Sequence, residues 1–379
     1  MGKTIIFAAV LIGCSMGCAR GSELDVSENP SNSEHQDTLV SAAGIQGSGT
    51  LHLLPLVFFT PETNWGAGAA SVYQFCASVA CAGAQLSTMQ LLVAYTLRNQ
   101  LLIYAPYEIV FREARFRLEG EAGYYRYTYR FFGIGPATQT SEMELYDVHF
   151  PRAVVSLSRQ VRSGFFVGAR YWYDGYRITE RSEGGILESE HVTGWQGGIN
   201  SGFAAKLLYD SRDHTTATAD GIYAEMLYHT DHPVFGSDFH FYQLEMDMRA
   251  FYSPDMGHTL AWQLYMASSG GEVPFQRLPL LGGPERMRGY IEGRFRDNHY
   301  MTAQAEYRFT VYRRWGTVVF GSAGQVASRP EDMALHGIRL AGGAGLRYML
   351  DPVTRLNVRM DYGWTGEGGA LYLTIGEAF

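Results

Sequence analysis

The sequence predicts an all-β chain, a transmembrane antiparallel β-barrel of sixteen strands. Three observations carry this reading. Segments of about ten residues alternate apolar and polar side chains and are bounded by Gly, Pro, Asp, Asn or Ser, the pattern expected of membrane-spanning strands. About fifteen or sixteen such segments follow one another with no helical period between them, too many for one sandwich and suited to a closed barrel. Tyr and Trp recur near segment ends, as Tyr171, Trp172 and Tyr173 do in ARYWYDGY, consistent with aromatic girdles. An even strand number is expected of a bacterial barrel, which selects sixteen.

The alternation is sharpest in the C-terminal half. In MTAQAEYRF one face carries Met301, Ala303, Ala305, Tyr307 and Phe309, the other Thr302, Gln304, Glu306 and Arg308. TRLNVRMDYGW sets Leu356, Val358, Met360 and Tyr362 against Arg355, Asn357, Arg359 and Asp361. FYQLEMDMRAFY sets Leu244, Met246, Met248 and Ala250 against Gln243, Glu245, Asp247 and Arg249. A soluble sandwich alternates too, with its apolar face hidden in a core; the strand number and the girdles favour the membrane. Strands facing lipid must close, because an open edge cannot be satisfied in hydrocarbon. Between Glu108 and Phe150 the segment boundaries can be drawn in more than one way.

Composition agrees. Gly numbers 44 and aromatics reach 14%, while 46% apolar content coexists with a slightly negative mean hydropathy because apolar residues are interleaved, not grouped. A net charge of -8 without a basic arm argues against nucleic acid as a partner. Only Lys3 and Lys206 are lysines, so Arg supplies nearly all positive charge, and its planar fork suits paired, partly buried sites.

Residues 1–19 read as a secretory signal, with Lys3, an apolar core from Thr4 to Gly13, and then small residues. Cleavage after Ala19 competes with a lipoprotein box, Leu11-Ile12-Gly13-Cys14, in which Cys14 would be lipidated. Residues 20–50 are polar and read as a flexible periplasmic linker, and 51–379 as the barrel. Cys76 and Cys81 lie in a small-residue stretch between two strands. In an oxidising compartment a local loop disulfide suits them; two unpaired small residues are the alternative.

Residues 281–298, LGGPERMRGYIEGRFRDN, hold seven charges in eighteen positions between two alternating segments. With the following AQAEYRF, this stretch resembles the signature loop and strand of the BamA/TamA superfamily of outer-membrane barrels, the bacterial surface-antigen family. In that family an Arg-Gly-aromatic tripeptide lies at the tip of a long extracellular loop folded back into the lumen, and Arg288, Gly289 and Tyr290 match it. Asp210, Arg212 and Asp213 in YDSRDHTTATADGIYAEM resemble a familial strand-turn-strand and read as a periplasmic turn held by Asp/Arg pairing. FFTPETNWGAGAA, FFGIG, GAGLRYML and LYLTIGEAF also look familial. Phe379 closes a run with Leu371, Leu373 and Ile375 like the terminal strand signal of such barrels, although Glu377 interrupts its lipid face.

Two departures limit the inheritance. Relatives that assemble or translocate proteins carry POTRA domains, whereas here only the polar linker precedes the barrel. The family's lumen strand also presents an Asp two residues after a Phe, to hold the loop arginine; after Phe320 this chain has Ser322. A desolvated Arg288 needs carboxylates. Glu306, on the strand directly after the loop, is the first candidate among Glu306, Asp361 and the weaker Ser322, with Glu245 and Asp247 as alternatives. An exposed arginine-rich surface loop is the plainer reading.

Catalysis finds little support. Asp210, Ser211, Asp213 and His214 hold triad residue types, but neighbours on a strand alternate faces. GxSxG and HExxH motifs are absent, and the eleven histidines are scattered. Arg339, Arg347, Arg355, Arg359 and Asp361 read as a lumen salt-bridge network, or as groups that tune ion selectivity in an open channel. The expectation is a non-enzymatic outer-membrane barrel without cofactor or metal, with a role in outer-membrane assembly or transport; the alternative is a passive or gated pore for small solutes. Expected partners are outer-membrane lipid, the barrel-assembly machinery during insertion, and a periplasmic partner protein.

Overall fold

The computed structural model describes residues 50–75, 77, 87–112, 115–351 and 355–379. Cys14, Cys76 and Cys81, the signal and most of the linker lie outside the described residues. Sixteen antiparallel strands close into a barrel. Eleven follow chain order around the wall: β1 (Thr50–Thr60), β2 (Asn64–Phe75), β3 (Ser87–Thr96), β4 (Leu101–Phe111), β5 (Phe116–Phe131), β6 (Glu144–Arg162), β7 (Phe165–Arg181), β8 (Gly197–Asp210), β9 (Gly221–Asp231), β10 (Phe241–Tyr252) and β11 (His258–Gly271). A long segment then leaves the wall. It contains two short strands, β12 (Leu280–Leu281) and β13 (Phe295–Arg296), which pair with each other, and Arg296 also bridges to Gly135 of the 132–143 connection. The wall resumes with β14 (His299–Tyr312), β15 (Trp315–Ala327), β16 (Arg339–Asp351), β17 (Leu356–Thr365) and β18 (Gly368–Ile375), and β18 meets β1.

Period-2 sequence becomes two chemically distinct faces. On β6, Tyr146, Val148, Phe150 and Arg152 point into the lumen and are buried, while Leu145, Pro151, Val155 and Leu157 point outward and are exposed. Leu53, Leu91, Val167, Leu207, Val319 and Leu371 are exposed on the same outer surface. An apolar surface this extensive is not stable in water and marks a lipid-facing band. Of the three ARYWYDGY aromatics, Trp172 departs from the girdle expectation: it is buried in the lumen beneath Arg152 and Arg277, 4.7 and 4.5 Å from its ring.

The ambiguous stretch after Glu108 resolves into the end of β4, the long β5, a connection with a 3₁₀ turn at Thr140–Glu142, and β6. Connections 132–143, 182–196, 232–240, 272–298 and 328–338 gather at one end, called here the loop end. The opposite, terminal end holds tight connections such as 163–164 and 313–314, the start of β1 and the end of β18.

The closing seam is short. Sixteen residue pairs join β5 to β6 and eight join β17 to β18, but the β1–β18 contact has the single pair Phe59↔Leu373. Register explains this. With Phe59 opposite Leu373, Val57 falls opposite Ile375, the last residue of β18, and Thr60, the last of β1, falls opposite Tyr372. The strands therefore overlap only over their ends. Past Ile375 the chain turns away at Gly376 (φ +81°).

Candidate functional site

The segment 272–298 folds into the barrel. Its β12–β13 ribbon pairs Leu280 with Arg296 and Leu281 with Phe295. Beyond it the chain reverses through Gly282 and Gly283 (φ +102° and +108°), and the tip is closed by the Gly283 amide donating to the Tyr290 carbonyl at 3.0 Å. Apolar side chains anchor this tip. Leu281, Met287, Tyr290 and Phe295 are buried with the wall residues Tyr265, Tyr300, Val326 and Ala341. Burying each large side chain contributes about 1.5–3 kcal/mol as an upper estimate. The outgoing limb reaches another wall: Val273, Phe275 and Leu278 pack with Phe131, Tyr146, Val148 and Phe150 of β5 and β6. The loop thus spans the lumen.

At the tip, Arg288 is fully buried. Its Nη1 donates to Asp361 Oδ2 of β17 at 2.6 Å, its Nη2 donates to Glu306 Oε1 of β14, and its guanidinium lies 3.6 Å from the Phe320 ring centre. Each carboxylate also serves the wall. Glu306 accepts from Arg308 Nε at 2.7 Å; Asp361 accepts from Arg347 Nη1 at 2.5 Å and from Arg359 Nη1 at 3.3 Å. Arg347 Nε in turn donates to Glu377 at 2.8 Å. Arg359 reaches back to the loop, donating to the Pro284 carbonyl at 3.0 Å, and its Nε donates to the Thr374 hydroxyl. Paired, hydrogen-bonded charges of this kind tolerate burial; removing one partner leaves an uncompensated charge.

The backbone beside Arg288 touches the wall directly. Gly289 has φ +113°, and a Cβ there would lie 2.7 Å from Thr365 Cγ2. A Cβ on Gly363 of β17 would lie 2.4 Å from the Arg288 carbonyl carbon. Both positions need glycine, one for conformation and one for close approach. The Tyr372 hydroxyl pins the same turn: it accepts from the Gly289 amide at 3.2 Å and donates to the Tyr290 carbonyl at 3.1 Å. Tyr290 itself packs edge-on against Phe295, with ring centres 6.0 Å apart.

Among the expected partners, Glu306 and Asp361 both meet Arg288 and Ser322 does not. Its hydroxyl donates across to the Ala341 carbonyl at 3.4 Å, and a neutral oxygen so placed cannot replace a carboxylate. Phe320, two residues before it, matters instead, since it supplies the ring beneath the guanidinium. Asp247 belongs to a different loop arginine, Arg286, at 3.5 Å, and to Arg249 at 2.7 Å; Glu245 accepts from Tyr265 at 3.0 Å.

Three further placements correct the sequence reading. Arg355 is not a lumen residue: it lies at the terminal end and donates to Asp213 Oδ2 at 2.8 Å. Arg339 stands partly exposed at the loop end, donating to Glu367 at 3.5 Å. Phe379 does not extend the lipid face, because the turn at Gly376 carries it inward, where it is buried against Phe251 and its oxygen accepts from Arg308 at 3.0 Å. The same turn puts Glu377 against Arg347, which accounts for a carboxylate interrupting that face. Asp210 and Arg212 form a two-pronged pair, both contacts at 2.9 Å, and Asp213 accepts from the Ala219 and Asp220 amides across the 211–220 turn.

Sequence reasoning missed the other loop anchors. Arg294 donates to Glu367 at 2.7 Å and to both oxygens of Thr138, and Arg277 reaches toward Asp174, which holds Arg152 through two hydrogen bonds of 2.7 and 2.8 Å. The available signal was the concentration of arginine in a segment flanked by strands. The partners are more than seventy residues distant for each, and nothing local names them.

An Omp85 superfamily domain matches residues 103–379. The chain belongs to the Omp85 superfamily. BamA from Haemophilus ducreyi lacking POTRA domains 1–3 is similar in fold, with TM-score 0.57 and 15% identity over 86% of this chain and 70% of that one. CdiB from Acinetobacter baumannii gives 0.54 at 11% identity, and CdiB from Escherichia coli 0.59 at 9%, over 87% and 85% of this chain. The chain spans about three fifths of each CdiB, 59% and 62%. No curated protein matches the sequence.

Proposed function

We propose that this Omp85 barrel is a non-enzymatic outer-membrane protein acting in outer-membrane assembly or transport, and that its β1–β18 seam is where it works. The short seam carries this reading. Among the described residues, no strand lies opposite the backbone groups of most of β1 that face β18, and such an edge is a template for an incoming strand. In a bilayer those groups cannot be left unsatisfied, so an unfolded β-chain arriving there would find its first partner. The loop-filled lumen favours a scaffold over a passive pore.

The test is to lock the seam. Phe59→Cys with Leu373→Cys places two thiols at directly opposed positions, a spacing suited to a disulfide. The protein is reconstituted in liposomes, and folding of an added unfolded outer-membrane barrel is timed. The expected result is acceleration that disappears on oxidation and returns on reduction. No acceleration, or acceleration indifferent to the lock, would sink the reading. In planar bilayers, low conductance that rises on deletion of the 281–298 tip is expected; large steady conductance with the loop intact would support the pore instead.

A further inference from the structure

Outside the lumen, the wall carries a row of basic side chains. Arg126 of β5 is opposite His149 of β6, and His149 is opposite Arg177 of β7, so the three stand side by side across adjacent strands. All face outward, because their chain neighbours Tyr125, Val148, Phe150 and Tyr176 belong to the lumen core. Arg126 and Arg177 are exposed, and among the described residues neither has an ion-pair partner. The two arginines are thus fixed positive charges two strands apart on one face, with the His149 imidazole between them.

The row has a definite height. Two residue pairs toward the terminal end, and next on the same face, is Tyr124, opposite Pro151, and below it the outward band of Ala153, Val155 and Leu157 continues. The row thus borders the lipid-facing band on its loop-end side, where headgroups of that leaflet lie. Asp147 and Glu180 stand beyond them, opposite each other, and form no ion pair with the row. Strand spacing puts the Arg126 and Arg177 backbones about 10 Å apart. Two extended guanidinium side chains at that spacing can converge on one phosphate or hold two neighbouring ones.

We propose that Arg126, His149 and Arg177 form an outward-facing site for the phosphate groups of a lipid in the loop-end leaflet. The site rests on the barrel standing in an outer membrane and is independent of the seam. Its occupant is a phosphorylated lipid, held by its acyl chains against Val155 and Leu157 and by its phosphates against the row.

The test uses the purified barrel in detergent, with lipid retention read by native mass spectrometry. The probes are bisphosphorylated lipid A and the same lipid with its phosphates removed. A cation near an anionic membrane surface contributes about fivefold in binding, so the wild type is expected to prefer the phosphorylated form by at least tenfold. Arg126→Gln with Arg177→Gln should abolish the preference, and the paired Lys substitutions should keep most of it. Both residues are exposed, and heat-modifiable gel mobility verifies that the variants fold; Arg177→Gln alone, with a partial loss, is the second variant. Equal retention of the two lipids by the wild type, or an unchanged preference in the Gln variants, overturns the proposal. Loss of the preference in millimolar inorganic phosphate would assign the row to a free anion and overturn it too.

Discussion

Gly289 and Gly363 meet backbone to backbone: a Cβ on Gly363 would stand 2.5 Å from the Gly289 nitrogen. The loop tip and β17 are in contact with no side chain between them, and this is what brings Arg288 within reach of Asp361. Gly363→Ala is therefore expected to push the tip off the wall. Overpacking of a closed contact costs about 1–3 kcal/mol. The measurement is the temperature at which the folded band disappears on a heat-modifiability gel; an unchanged midpoint would show that the tip is not seated there.

Arg288→Ala removes one cation from a cluster in which Glu306 and Asp361 are fully buried. Breaking such a pair from one side costs about 3–5 kcal/mol. Because Arg308 and Arg347 remain on the two carboxylates, the loss should fall at the lower end. Thermal stability in detergent equal to that of the wild type would sink the tucked-loop assignment. In a double-mutant cycle, Asp361→Asn should cost much less in the Arg288→Ala background than alone.

Tyr372→Phe keeps the ring and removes the hydroxyl that bridges the Gly289 amide and the Tyr290 carbonyl. The expected cost is about 1–3 kcal/mol, set by the amide left unsatisfied inside the barrel. Hydrogen exchange read by mass spectrometry should accelerate in the peptide covering 287–292 while the wall peptides stay protected. Uniform acceleration would point to general destabilisation instead.

At the terminal end the chemistry is pH-dependent. Partial burial acts to raise the Asp213 carboxyl, but the Ala219 and Asp220 amides and the Arg355 guanidinium outweigh it and hold the group below the usual aspartate range. A depressed carboxyl contributes stability that is present above the ordinary aspartate value and lost as pH falls through the lowered one. The Ala219 and Asp220 amide resonances should therefore titrate together, with a midpoint under that of a free aspartate, and Asp213→Asn should abolish the titration. A midpoint at or above the ordinary value would contradict the hydrogen bonding.

The wall was legible from sequence because its rule is local: Glu306 and Asp361 could be put in the lumen by counting in twos from Thr302 and Asn357. The stretch from Glu108 to Phe150 was harder, since β5 is rich in Tyr on both faces and its apolar period is weak. Arg288 was recognisable from its tripeptide and its need for carboxylates. What remained hidden depends on where strands end. Phe379 was misplaced because one residue, Gly376, turns the tail inward, and Arg355 because it precedes the first residue of β17 and so escapes the alternation. The anchors of Arg277 and Arg294 rest on the shape of the closed barrel, which no short window contains.

The Arg288 contacts also order events in time. Its first carboxylate, Glu306, arrives with the strand directly after the loop, but Asp361 is 73 residues away on the penultimate strand. Contacts of such separation form only after the intervening chain has been organised. A chain stalled before β17 exposes an arginine with half its coordination, while a finished wall closes around it. The loop tip acts as a latch that only the completed cylinder can shut.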